Sequence, residues 1–211
     1  MSTSRVGTWA GQLRSLRPVL ESWTRLVVRS ADAWARGTEP DCPWWYRERP
    51  LVGYLAAAAF MTGGTALEEY SDNKGVGADD SYTGRRDLFL GTSSVEYLVE
   101  AKFAWSRAAL SKSVVRARLK AKMAKAVEDA LSIRSVSEKR LAVVFAAPFI
   151  KESDPETMVG VLAEWRRIVD QFPSHAQAWA FPKSGWQMKY GGFVHPGVVL
   201  LARKVTGRRA T

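Results

Sequence analysis

The chain has 211 residues, 46% of them hydrophobic and 25% charged, an ordinary balance for one globular unit with a sizeable core. A formal net charge of +10 favours a polyanionic partner, nucleic acid before an anionic membrane surface. The single cysteine, Cys42, excludes an intramolecular disulfide and a cysteine-rich zinc site, and two histidines, His175 and His195, argue against a histidine-based metal centre.

The opening MSTSRVGTWAGQLRS has no apolar h-region, and the apolar run from Leu51 to Met61 is too short for a bilayer, so the sequence predicts a cytoplasmic protein without a membrane span. Met1 to Gly11 reads as loose. Ser15 to Ala35 reads as an amphipathic helix with Leu16, Leu20, Trp23, Val27 and Trp34 on one stripe and Arg14, Arg17, Arg25, Arg29 and Arg36 on the other surface. Its tryptophans make it a candidate surface for a protein partner or a homodimer. The segment TEPDCPWWYRERP, with three prolines, reads as an ordered linker. Residues 1–50 are thus assigned to a helical extension and linker, and 51–211 to the main domain.

Leu51 to Tyr70 reads as a buried helix, with Gly63-Gly64 as a site of close packing, a kink or a break. Glu68 and Glu69 follow. Ser71 to Thr83 is a loop by composition, without the spacing of a calcium-binding loop.

The stretch GRRDLFLGTSSVEYLVEAKF, Gly84 to Phe103, carries the chemistry. Arg86 to Leu90 and Val95 to Phe103 read as two strands joined by a turn at Gly91 to Ser94. Alternation puts Glu100 and Lys102 on one face and Val99, Ala101 and Phe103 on the other. Pairing as a hairpin brings Asp87 beside Glu100. Two carboxylates side by side repel, and a hard divalent cation relieves them. A lysine two residues on can orient or deprotonate a water, or stabilise charge on a phosphate.

Asp87 followed by Glu100-Ala101-Lys102 in the setting YLVEAK resembles the PD-(D/E)xK nuclease superfamily, with Arg86 where the family name has proline. The resemblance implies a restriction-endonuclease-like α/β sandwich, a mixed central sheet flanked by helices in the order αβββαβ. It implies Mg2+ or Mn2+ held by Asp87 and Glu100, with Lys102 at the attacking water. A glutamate from the helix before the sheet joins the site in this family, and Glu69, or else Glu68, is the candidate.

Ser106 to Ser132 reads as one long basic helix with Leu110, Val114, Leu119, Met123, Val127 and Leu131 inward. Arg116 and Lys120 on it, with Arg85 and Arg86, are the candidate phosphate contacts. Arg140 to Ile150 reads as a buried strand, Pro155 to Phe172 as a helix after an Asp154 start signal, and Ala176 to Phe181 and Val198 to Val205 as strands. Trp186, Lys189, Tyr190 and His195 lie in the connection between the last two. Thr206 to Thr211 reads as a frayed basic tail.

The function expected is a metal-dependent nuclease acting on nucleic acid, DNA ahead of RNA. The alternative is an inactive module of the same fold that binds nucleic acid or a protein in a phage, mobile-element or defence assembly.

Overall fold

The computed structural model describes residues 6–74, 82–132 and 138–207. In chain order they form β1 (Val6–Trp9), α1 (Arg17–Trp34), α2 (Glu48–Met61), β2 (Thr65–Glu68), β3 (Ser71–Lys74), β4 (Tyr82–Arg85), β5 (Leu88–Gly91), β6 (Glu96–Arg107), α3 (Lys112–Leu131), β7 (Lys139–Lys151), α4 (Pro155–Asp170), β8 (Ala176–Ala180), β9 (Lys189–Tyr190), β10 (Phe193–Val194) and β11 (Val198–Val205). The class is α/β with a mixed sheet.

The frame is the pair β6 and β7, parallel from Tyr97 opposite Lys139 to Arg107 opposite Phe149. Parallel neighbours need a crossover, and α3 supplies it. β7 is apolar on both faces because both are covered, and Leu141 to Ala147 is buried throughout. Beyond β7 lie β11, β8 and the edge strand β1, each antiparallel to its neighbour. Beyond β6 lie β5 and the edge strand β2, again antiparallel. β9 and β10 form a small hairpin on the end of β7, and β3 pairs with β4 as a separate ribbon.

α1 and α2 cover one face of the sheet, where Leu16, Leu20, Trp23 and Leu55 meet Val99, Ala101, Phe145 and Leu200. α3 and α4 cover the other, where Leu119, Met123, Trp165 and Ile168 meet Leu98, Ala104, Val144 and Leu201. Trp23 is fully buried, stacks on Phe145 at 5.9 Å between ring centroids, and donates its indole N–H to the Leu51 carbonyl at 3.1 Å. It therefore ties α1 to α2 and to the sheet with no polar atom left over.

Several elements differ from the sequence expectation. The chain before residue 50 shares this core: β1 pairs with β8, and Trp44 is buried with its indole N–H on the His195 carbonyl. Trp34, expected inward, is 41% exposed at the end of α1. The helix expected to reach Tyr70 ends at Met61, because Gly63 turns left-handed at φ 77° and the Gly64 N–H returns to the Ala59 carbonyl at 2.9 Å. Glu68 is then the last residue of β2, and Glu69 follows it at φ 48°, so neither lies on a helix. α3 begins at Lys112, since β6 continues to Arg107. Its buried stripe is Val115, Leu119, Met123, Ala126 and Ala130, while Val114 and Leu131 are exposed. β3 and β4 occupy part of the expected loop; its remainder, 75–81, lies outside the described residues, as do 1–5 of the expected loose start and 208–211 of the expected tail.

Replacing Trp23 by alanine removes the largest shared contact of α1, α2 and the sheet. The expected cost is about 3–5 kcal/mol, read as a lowered midpoint in urea with the slope unchanged. A cost below about 1 kcal/mol would show that the two helices are not locked through this residue.

Candidate active site at the open edge of the sixth strand

β5 stops at Leu88, opposite Val99, but β6 runs on to Arg107. From Ala101 onward β6 has β7 on one side and, among the described residues, no strand on the other. Its outward N–H groups still need acceptors. The Ala101 N–H donates to Asp87 Oδ2 at 2.7 Å, and the Phe103 N–H lies against the Glu48 carboxylate. Two acidic side chains thus stand where the next strand would be.

Asp87 is set there by its neighbours. The Arg86 N–H donates to the Tyr70 carbonyl at 2.9 Å and the Glu69 N–H to the Asp87 carbonyl at 3.2 Å, fixing the chain just before β5. Glu48 opens α2, following Arg47, whose φ of 66° and ψ of −138° turn the chain sharply into the helix. Such a conformation costs a non-glycine residue about 1–3 kcal/mol and is held by its surroundings. Burial is the largest influence on the Glu48 carboxyl and raises its pKa; the charge of Asp87 pushes the same way, against Lys102 and Lys122. These four groups therefore share one electrostatic neighbourhood.

Lys102 is 21% exposed, and its ammonium donates to the Ala101 carbonyl at 2.8 Å. It lies 2.9 Å from Asp129 Oδ2 and 4.0 Å from Asp87 Oδ2. Burial pulls its pKa down, but the hydrogen bond to Asp129 and the charges of Asp87, Asp129 and Glu48 outweigh that, and the net shift is upward. Lys102 is an ammonium in this arrangement. Asp129 also takes Lys125 at 3.2 Å.

Glu100 shares the Lys102 face as alternation predicts, yet it is 2% exposed, with the Arg86 guanidinium, 1% exposed, at 3.7 Å. Arg86 is therefore not at the surface, and its expected role as a phosphate contact is corrected: it is the buried counter-charge of Glu100. Arg85 is 63% exposed and, with Arg49, binds Glu69. That pairing with Arg49 is the first cause of a lowered Glu69 pKa. Arg116 turns to the other flank of α3, its guanidinium on the Gln171 carbonyl at 3.3 Å, and the exposed Lys120 lies one turn further along that flank. Arg118, Lys122 and Lys125 are the α3 cations nearest the open edge.

Sequence reasoning missed Glu48 and Asp129. Pro50 gave the signal for the first, because proline suits a first helical turn as well as it suits a linker.

A cleft of about 550 Å3 opens here, lined by Glu48, Glu68, Glu69 and Asp87 together with Arg49. Four carboxylates around one cleft stand out in a chain of net charge +10. Among the described residues no three histidine, cysteine or carboxylate side chains converge on a common point for a metal ion. Mg2+ needs only one or two carboxylates, the rest of its shell being water and phosphate oxygen, so hard oxygen donors at Asp87 and Glu48 fit it in kind and number.

Further along the edge is an aromatic group. His195 packs edge-on to Trp105 at 5.1 Å and to Trp45 at 5.8 Å, with Phe149 and Tyr190 beside them. Burial pushes the His195 imidazole down to about 4. Comparison with protein-family models, curated proteins and solved structures returned no match.

Two predictions follow from these environments. Glu100→Gln removes the carboxylate that faces the buried Arg86 guanidinium, with an expected loss of about 3–5 kcal/mol in unfolding experiments; a neutral result would mean the pair is dispensable to the fold. His195, neutral when folded but free to protonate when unfolded, lowers stability as pH falls from its ordinary value of 6.5 toward about 4. Its imidazole should stay neutral through that window by NMR, and His195→Phe should shrink the stability loss. Protonation near 6.5 in the folded protein would refute this.

Proposed function

We propose that the chain is a metal-dependent nuclease whose centre is the open edge of β6. The observation that carries this reading is the convergence there of Glu48 from α2, Asp87 from just before β5 and Lys102 from β6. With the separate β3–β4 ribbon set aside as an insertion, the order α2, β2, β5, β6, α3, β7 supports it, in keeping with the αβββαβ order implied by the resemblance of the Asp87 and Glu100-Ala101-Lys102 motifs.

Asp87 and Glu48 would hold the ion; Glu100, the other expected ligand, is buried against Arg86. Mg2+ or Mn2+, when bound, supplies charge neutralisation at the scissile phosphate and a more acidic water. Lys102, 4.0 Å from Asp87 Oδ2, would orient the attacking water or hold a phosphate oxygen as charge builds on it. Asp129 positions the Lys102 ammonium and Lys125 compensates Asp129. Glu69, held by Arg49 and Arg85, has a part in shaping the cleft wall rather than in the chemistry.

The second reading, a non-catalytic module of the same architecture, draws on the pairs Arg86 with Glu100 and Lys102 with Asp129, which occupy both half-motifs with internal partners.

Labelled single- and double-stranded DNA and RNA, incubated with Mn2+, Mg2+ or EDTA, separate the two. Cleavage should require metal and fall about a hundredfold or more in Asp87→Ala and Lys102→Ala. Glu48→Gln should fall about tenfold or more, and Glu69→Gln should stay within about twofold. Intact substrates under every condition, with the wild-type fold verified, would favour the binding module.

A further inference from the structure

The open edge of β6 is the floor of a longer feature than the cleft. On one bank stands α3. Arg118, Lys122 and Lys125 follow one another at four- and three-residue spacing, so they share a face, and all three are exposed. The Arg118 guanidinium reaches the Trp105 carbonyl at 3.5 Å, Lys122 lies within electrostatic reach of Glu48, and Lys125 meets Asp129, the partner of Lys102. A row of cations therefore runs beside β6 from Trp105 back to Lys102.

At the Trp105 end stand the aromatics. The rings of Trp105 and Trp45 both pack edge-on against His195, and Tyr190 leans on Trp45 at 6.4 Å. Tyr190 is 76% exposed at the tip of the β9–β10 hairpin, where Gly191 and Gly192 both take positive φ. Among the described residues, the Trp45 indole nitrogen and the His195 Nδ1 meet no protein hydrogen-bond partner. A cluster serving stability alone rarely holds a tyrosine ring out in water beside its other rings.

Cations in a row and aromatic faces at its end are the two components of a single-strand site: backbone phosphates on the first, an unpaired base on the second. A base within a duplex has both faces covered by its neighbours and cannot lie on Tyr190. We infer that this groove binds single-stranded nucleic acid, phosphates along Arg118, Lys122 and Lys125 and a base stacked at Tyr190 and Trp45, so that the strand crosses the edge of β6 at Lys102. Delivery to a cutting site rests on the nuclease reading; binding does not.

The test is fluorescence anisotropy with labelled oligothymidylate, oligouridylate and a blunt DNA duplex, in EDTA so that no strand is cut, across a salt titration. Single strands should bind more tightly than the duplex. Tyr190→Ala, at an exposed tip where folding is not at stake, should weaken single-strand binding about 5- to 100-fold and leave duplex binding unchanged. Lys122→Gln should reduce the salt slope for single strands by about 0.7. A preference for thymidylate or uridylate assigns the strand to DNA or RNA. Equal or tighter duplex binding, or a silent Tyr190→Ala, overturns the inference, as does absence of binding. Tyr190-dependent binding of strands that stay intact with Mn2+ retains the inference and removes the nuclease reading. Metal-dependent cutting of duplex with a silent Tyr190→Ala does the reverse.

Discussion

A strand that outruns its neighbour leaves donors pointing at nothing. β6 does so from Ala101 to Arg107, and the architecture around the candidate site follows from how those groups are met. A further strand would have closed the edge and buried it; water alone would have left an invitation to pair with another chain. Here Asp87 and Glu48 stand over the edge instead, taking the Ala101 N–H and facing that of Phe103. An acidic pair in that position leaves hard oxygen donors open to a small cation while denying the edge to another strand. Structural satisfaction and chemical readiness are supplied by the same two carboxylates.

Charge is distributed to match. The chain is strongly basic, yet its cleft is acidic, and the two are separated by a single lysine. Lys102 bridges them, with Asp87 on the cleft side and Asp129 on the α3 side. A polyanion drawn in by Arg118, Lys122 and Lys125 would meet repulsion from the carboxylates unless a cation lay among them. The field of the surface and that of the cleft therefore make different demands, and the divalent ion of the proposed reading would reconcile them.

How far this could be read from residues depended on the range of the forces involved. Alternation along β6 placed Glu100 and Lys102 opposite Val99, Ala101 and Phe103, because a strand's period is fixed by its own backbone. The stripe Leu16, Leu20, Trp23 and Val27 was legible for the same reason. Gly63-Gly64 carried a helix stop, but its outcome depended on the close approach of Gly64 to the Gly91 carbonyl, a contact between segments far apart in sequence. Glu48 was hidden by its prolines, and Asp129 by distance: it meets Lys102 only because α3 folds back over β6. The inward face of α3 was displaced toward alanines, since Ala126 and Ala130 fit against the sheet where larger side chains would not. Arg86 carried no sequence signal of burial at all.

That arginine bears on why the site has this shape. Burying a guanidinium and a carboxylate is a weak route to stability, since apolar residues of similar size often serve as well. What Arg86 and Glu100 do supply is position. Glu100 lies next to Ala101, whose N–H holds Asp87, and Arg86 precedes Asp87 in the chain. The pair thus fastens the start of β5 to the middle of β6 from inside, while the Asp87 contact fastens it from the edge. A slip of one residue between these strands would send Asp87 to the wrong face and bury both charges unmatched. The cost of ionising the interior is the means by which the register at the candidate site is enforced, and it explains why a basic residue belongs beside Asp87 in this chain.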